Sequence, residues 1–329
     1  MKILFNLHAY PPCQMSGAVT MAKRIADFLA GQGHEIKVLL LWGHSFKDGK
    51  VEVIEQDQDS SPYEQNRDLW EWCDFAVTHL IQGAYADNKA RWHKKPLVHL
   101  VHNSHNDPFR DDRVENRYHI YNSEYVKRKL KNKTPNIVCR PPVDYRLYEK
   151  IKPSERGYVT LINHNTNKGG QRLIEIAKKL PKVKFLAVKG GYAVDTRGQI
   201  KDEKQLNITY CEPHQDIRNV LKDTKILIMP SEYESYGQTA VEAMACGIPV
   251  IVSTGTGCAE IVGNMPKLPY DDIDSWVNEI KKLLKDDEYY QDLSQQARAT
   301  AKELDPLPQL YALEQFLQTV KYVPPYGHQ

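Results

Sequence analysis

The sequence contains no apolar run approaching the ~20 residues that cross a bilayer. Its first residues, MKILFNLHAYPP, are a short apolar stretch running into prolines, the pattern of a strand rather than an export signal. Together these lead us to expect a cytoplasmic protein without a transmembrane segment, with a peripheral position at the inner face of a membrane left open. The six cysteines (Cys13, Cys73, Cys139, Cys211, Cys246, Cys258) are far apart and include no C-x-x-C pair, so reduced thiols are the reading. Charge of one sign is also lacking: 44 lysines and arginines face 42 acids, a net charge of +2, which gives no global field for nucleic acid. The local exception is VKRKLKNK, Val126 to Lys133. Internal repeats and low-complexity segments are absent.

What is present is a globular composition, 41% hydrophobic and 26% charged, in 329 residues, a length that calls for two domains. KILFNL, a small-residue loop, the helix TMAKRIADFLAGQGH and the strand EIKVLLL make a βαβ unit, with Ala22, Ile25, Ala26 and Leu29 on one helix face. WCDFAVTHLI, PLVHLVHN and YHIYNSEYVKRKLK continue the pattern, and Ser123 is a candidate N-cap. The charged stretch YEKIKPSERG marks a boundary. A second series then begins with YVTLINHN, GQRLIEIAKKL, VKFLAVKGG, ITYC and QDIRNVLKDT. We therefore expect an α/β protein with domains at 1–150 and 151–307, and a C-terminal segment of about 308–329 packing back on the first. In parallel sheets of this kind ligands sit at the carboxyl ends of strands, near the switch point.

The stretch PSEYESYGQTAVEAMACGIPVI, Pro230 to Ile251, follows the strand KILIM and places Glu234 and Glu242 on either side of a glycine turn. TAVE has the form of a capping box, so a structural role for Glu242 is one reading, and a solvated loop acid is the matching one for Glu234. Three features argue for chemistry instead. Tyr236-Gly237-Gln238 opens a helix whose N–H groups suit an anion. NHNTNKGG, Asn163 to Gly170, puts Lys168 and glycines at another strand-to-helix turn, a counter-charge for a diphosphate. MSGAVT, Met15 to Thr20, is a small-residue loop in which Gly17 permits close backbone approach.

These residues resemble those of GT-B glycosyltransferases of family 4, over nearly the full length. The most specific element is the E-x7-E arrangement from Glu234 to Glu242; SGAVTMAKRIADFLAGQGHEIKV, PLVHLVHN, NTNKGG and RPPVD resemble shorter family segments. The resemblance implies two Rossmann-like, doubly wound domains facing across a cleft, and retaining transfer from a nucleotide sugar to a hydroxyl without a metal or other cofactor. A UDP-sugar stands first among donors. Glu242 would bond the ribose and Glu234 the transferred sugar. Lys168 would hold the diphosphate with Asn163, Gly169 and the backbone of Tyr236, Gly237, Gln238 and Thr239. His102 would lie beside the sugar, and Gly17 would let the first loop close on the phosphate. Ser16, Asn103, Lys127 and Arg128 are the candidate acceptor contacts. Asn163 stands where the family commonly has arginine. A bond to a charged group contributes ~1.5–3 kcal/mol, so either Lys189 or Arg172 compensates, or turnover is weak or lost.

Three functions follow as alternatives: transfer to a cell-surface glycan, lipid-linked sugar or metabolite; transfer to hydroxymethylated DNA bases; or catalytically silent sugar-nucleotide binding. The segment Val126 to Lys133 would meet an anionic membrane or DNA in the first two, though such a run is most often a solvated helix face and the lipid or DNA contact is the minority reading. DDID, Asp271 to Asp274, reads as a helix cap rather than a metal site. His99 and His102 fall on opposite sides of a strand, against a shared metal. The loop Cys211 to Asp216 is the candidate for base contacts, and the tail YVPPYGHQ a surface strap.

Overall fold

The computed structural model describes residues 1–14, 16–105, 116–154, 157–190, 207–214 and 216–324. Residue 215 of the candidate base-contact loop and residues 325–329 of the tail lie outside them. The chain divides into two compact units, Met1–Pro142 with Pro306–Gln329, and Val143–Asp305.

In the first unit β1 (Lys2–Leu7), β2 (Glu35–Leu40), β4 (Val51–Glu55), β5 (Phe75–Thr78), β6 (Leu97–Val101), β7 (Arg117–Tyr121) and β8 (Asn136–Val138) are parallel, and only β3 (Phe46–Asp48) runs antiparallel, against β4. The spatial order is β3-β4-β2-β1-β5-β6-β7-β8, so the chain reverses its direction of winding between β1 and β5. The strands read as nearly continuous apolar runs because both faces are covered. Ile3, Phe5 and Leu7 point into a core with Ala22, Ile25, Ala26 and Leu29 of α1 (Gly17–Gly31), while Leu4 joins Trp70, Ala86 and Ala90 on the other face. The β3–β4 hairpin is absent from the sequence reading, though Asp48-Gly49, with Gly49 at φ 59°, is a strong hairpin signal.

In the second unit β9 (Tyr158–Ile162), β10 (Phe185–Val188), β11 (Ile208–Cys211), β12 (Thr224–Met229), β13 (Val250–Ser253) and β14 (Lys267–Leu268) form a parallel sheet in the order β11-β10-β9-β12-β13-β14. Winding reverses between β9 and β12. One core joins the sheet to α5 (Gly170–Lys179), α7 (Gln238–Ala245), α8 (Ile273–Lys285) and α9 (Asp287–Glu303).

Val143 and Tyr148 are buried in this second core, which is why the division falls at Pro142, ahead of the charged stretch read as the boundary. At the other end α10 (Pro306–Gln318) inserts Leu310, Leu313 and Leu317 into the core of the first unit. The segment beyond α10 stays there: the Tyr118 hydroxyl donates to the Lys321 carbonyl at 3.1 Å, and the Asn116 amide to that of Val323 at 2.9 Å. The helix expected from QDIRNVLKDT is only α6, Arg218–Leu221. Asp216 cannot extend it backward, because its carboxylate is held by the Arg218 backbone and guanidinium in a local turn.

Candidate functional site

In the second unit two loops leave the sheet where the winding reverses, one after β9 and one after β12. Each ends at a glycine with a left-handed backbone: Gly169 caps α5 and Gly237 caps α7, both at φ 92°. A Cβ on Gly169 would fall on the Pro230 carbonyl, and one on Gly237 on the Cys258 sulfur, so both positions require the missing side chain for space as well as for φ. The two loops are cross-linked by backbone, Glu232 N–H donating to Asn167 O at 3.3 Å. A third loop, after β13, adds Gly257 N–H to Glu234 O at 2.7 Å.

On this frame Lys168 Nζ donates to Glu234 Oε2 at 2.7 Å and to the Tyr233 carbonyl at 3.3 Å. Both charged side chains keep partial exposure, 24% for Lys168 and 15% for Glu234. The other Glu234 oxygen accepts from Tyr236 N–H at 3.4 Å. Glu242 lies one turn into α7 and is 3% exposed; its Oε1 accepts from the Tyr148 hydroxyl at 3.1 Å and from Gln238 Nε2 at 2.9 Å. Among the described residues Gln238 Oε1 is buried without a hydrogen-bond partner, an acceptor available to a donor group of a ligand.

The capping-box reading of Glu242 is corrected. The helix begins at Gln238, its N-cap is Gly237 without a side-chain cap bond, and Thr239 Oγ1 instead contacts Met229 sulfur at 3.9 Å. The helix starts two residues too early for Thr239 to cap it, because the left-handed Gly237 already holds the N-cap position. Asn163 has a left-handed backbone at φ 66°, a conformation asparagine tolerates better than long side chains do. Its carboxamide oxygen accepts from Asn165 N–H at 3.4 Å, and Gly190 lies against the same carboxamide. The two cations considered as substitutes for the family arginine are engaged elsewhere. Arg172 pairs with Glu175 at 2.8 Å and lies 4.6 Å from the Tyr270 ring centre, and Lys189 pairs with Glu212 at 3.4 Å.

In the first unit Ser16 is the N-cap of α1, its hydroxyl accepting from Val19 N–H at 3.5 Å. Gly17 is therefore the first helical residue and not part of the loop, contrary to the sequence reading, which started the helix at Thr20. The reason is that Ser16 supplies the cap. A Cβ on Gly17 would meet nothing within 4 Å. His102 and Asn103 follow β6. His102 Nε2 is 3.0 Å from His79 Nδ1, and Asn122 Nδ2 donates to the His102 carbonyl at 2.9 Å. Burial, together with His99 and His8, pushes the His102 imidazole down to about 3. Ser123 caps α4 (Glu124–Leu130), with Val126 N–H 3.2 Å from its hydroxyl. Val126 is buried, while Arg128, Lys129, Lys131 and Lys133 are exposed and Lys127 is half-buried.

Asp272 caps α8 through Ser275 N–H at 3.1 Å, and Asp274 pairs with Lys179 at 2.5 Å. Among the described residues no group of three or more His, Cys, Asp or Glu is arranged to hold a metal, and no helix is long and apolar enough to cross a membrane. The residues missed from sequence are Tyr148, His8, His79 and Asn122. Three of these, His8, His79 and Asn122, stand just beyond strand ends, where side chains of parallel sheets gather around ligands.

Residues 149–300 match the family described as Glycosyl transferases group 1. The chain is 30% identical over 92 residues to the O-antigen chain mannosyltransferase B of Escherichia coli, 28% of this chain and 24% of that protein. It is 32% identical over 131 residues to the D-inositol 3-phosphate glycosyltransferase of Mycolicibacterium smegmatis, 34% of this chain and 29% of that one. The chain thus spans less than a third of the length of either relative. Among solved structures, sucrose-phosphate synthase from Thermosynechococcus elongatus superposes with a TM-score of 0.78 at 15% identity, covering 97% of this chain and 98% of that one. HepE from Anabaena in complex with UDP-glucose gives 0.76 at 18%, covering 97% and 100%. The fold is therefore GT-B, α/β with two parallel-sheet domains like those of glycosyltransferases. Within it, the second unit carries the glycosyl transferases group 1 match.

Proposed function

We propose that the protein is a retaining glycosyltransferase of family 4, moving a hexosyl or pentosyl unit from a nucleotide-sugar donor to a hydroxyl acceptor. The observation that carries this reading is the Lys168–Glu234 pair at the β9/β12 reversal, set between the starts of α5 and α7, with buried Glu242 one turn further on. The similarity to HepE, which has been solved with UDP-glucose, supports a UDP-sugar as donor.

The physical task is to stabilise charge growing on the diphosphate as the glycosidic bond breaks. Lys168 and the backbone N–H groups from Tyr236 to Thr239 would meet that charge, with Gly169 allowing the phosphate close to α5. Positive charge from a lysine and two helix N-termini suits a reaction without a metal. Glu242 would receive the ribose hydroxyls, its carboxylate already oriented by Tyr148 and Gln238. Glu234 would receive hydroxyls of the transferred sugar. It is held by a lysine and a backbone N–H, which suits recognition better than nucleophilic attack on the sugar. His102 is proposed as a further catalytic residue, Gly17 as a donor contact, and Ser16 and Asn103 as acceptor contacts. The acceptor is proposed to be a cell-surface glycan, lipid-linked sugar or metabolite. The exposed basic ridge of α4 and the residues after it fits an enzyme working in the cytoplasm against an anionic membrane.

A second reading, a silent sugar-nucleotide-binding protein, is favoured by one observation: Asn163 lies in a left-handed turn against Gly190 and brings no cation to the diphosphate. Calorimetric titration with UDP, GDP, ADP and CDP, followed by anomeric NMR of the product from the donor so identified, tests both. Selective binding with an axial-to-axial (retained) product supports the transferase, binding without turnover supports the silent protein, and no binding by any diphosphate removes both.

A further inference from the structure

Three histidines of the first unit stand in a file at the carboxyl ends of neighbouring strands. His8 follows β1, His79 follows β5 and His102 follows β6, so the file crosses the place where the winding of the sheet reverses. His8 Nδ1 is 3.0 Å from His79 Nε2, and His79 Nδ1 is 3.0 Å from His102 Nε2. His79 is fully buried and His8 is 2% exposed, with the His8 ring edge-on to Trp42 at 5.7 Å between centroids.

We propose that His79 is a positioning residue that, held by His8, fixes the ring orientation of His102 and couples its tautomer to that of His8. The consequence for sugar transfer rests on the glycosyltransferase reading; the file itself does not. Burial pushes the proton affinities of His79 and His102 down, so all three rings are neutral near pH 7. Three neutral imidazoles carry three N–H protons, and two of them occupy the two N–H···N bridges. The third must sit at one end of the file, on His102 Nδ1 or on His8 Nε2. If His102 Nδ1 is a donor, the bonds run from His8 through His79 to His102. If it is an acceptor, both bonds reverse and the proton appears on His8. The donor or acceptor state that His102 offers a ligand is thus shared with a residue two rings away. The two nitrogens of His79 point to different partners, so the file is not arranged around one metal ion. His102 is fixed at its backbone as well, through Asn122 and the Ser123 hydroxyl that donates to Asn122 Oδ1 at 3.1 Å.

The test is ¹⁵N NMR of the full chain with labelled histidine, in the wild type and in His79→Asn, His79→Gln and His8→Leu. The expected wild-type result is nitrogen–nitrogen coupling across both bridges. Asparagine places its amide near the Nδ1 position and keeps a partner for His102 Nε2; glutamine reaches instead toward His8 and leaves His102 Nε2 without that partner, so its tautomer balance shifts. His8→Leu is a second route to the same end, since the shortened file no longer shares its proton with His8 and the tautomer balance of His102 shifts. Absence of coupling in the wild type, or a His102 pattern unchanged in all three variants, would overturn the proposal. With UDP-glucose as the probe and water as the acceptor, kcat for its hydrolysis to UDP and glucose is expected to be roughly 10-fold or more lower in His79→Gln than in His79→Asn, with KM for the donor nearly unchanged. Absence of turnover in the wild type would count against the transferase reading while the NMR pattern still decides the file.

Discussion

Lys168 and Glu234, 66 positions apart in the chain, hold each other at 2.7 Å across the place where the second sheet reverses its winding. One is the cation proposed for the diphosphate and the other the acid proposed for the sugar. A diphosphate reaching Lys168 must compete with Glu234, and the carboxylate it displaces is then free to accept sugar hydroxyls. Lys168→Ala should therefore weaken UDP binding by roughly 10-fold or more, the scale of one charge-assisted bond. Glu234→Gln should leave UDP affinity unchanged or improved, yet abolish any advantage of UDP-glucose over UDP. Titration of both ligands against both variants checks this, and equal losses for UDP in the two would contradict the exchange.

Tyr148 was outside the sequence reading, but its hydroxyl is one of two donors to the buried Glu242 carboxylate. Tyr148→Phe removes a bond to a charged group and is expected to cost ~1.5–3 kcal/mol, expressed as lower thermal stability of the second unit and weaker nucleotide binding. Calorimetry with and without UDP separates these. If neither moves, Tyr148 does not orient Glu242.

The loop glycines should tolerate no side chain. Gly169→Ala meets the Pro230 carbonyl and Gly237→Ala meets Cys258, each from a left-handed backbone. Each is expected to lose at least ~1–2 kcal/mol from the φ penalty alone. By contrast Gly17→Ala, with open space around its Cβ, should fold as well as wild type. Urea unfolding compares the three, and a Gly237→Ala protein of full stability would contradict the packing described.

Restoring the family arginine at position 163 is expected to harm the protein. The left-handed backbone costs a long L-residue about 1–2 kcal/mol, and Gly190 packs against the present side chain. Asn163→Arg should lower the melting temperature without tightening UDP binding. Tighter binding at unchanged stability would show that the loop accepts the guanidinium after all.

Acidification should destabilise the first unit through its histidines. His102 is held down to about 3 in the folded protein, against an ordinary value of 6.5. Between those values the unfolded chain binds the proton and the folded chain does not, so the stability present above pH 6.5 is lost progressively as pH falls toward 3. His8 and His79 are pushed down by burial as well and act in the same direction. Thermal melts of wild type and His102→Gln from pH 7.5 to 4.5 should show a shallower loss in the variant. Parallel curves would mean that His102 is not the group responsible.

The sequence by itself determined the local elements and their order. Runs such as KILFNL and KILIM, short, apolar and bounded by turn residues, read as strands, and the spacing of Ala22, Ile25, Ala26 and Leu29 reads as a helix face. Glycine at 169 and 237 announced the two turns, because a left-handed backbone leaves few other choices. The Lys168 and Glu234 loops were legible for the same reason: each directly follows a strand. Which residues meet was decided by tertiary structure alone. No local pattern brings Tyr148 to Glu242, or His8 to His79 and His102, since those contacts depend on strand order. Nor could charge patterning show that Val143 and Tyr148 belong to the second core and Leu310, Leu313 and Leu317 to the first. Burial of apolar side chains settles that boundary, and burial is a property of the folded sheet rather than of any short stretch of sequence.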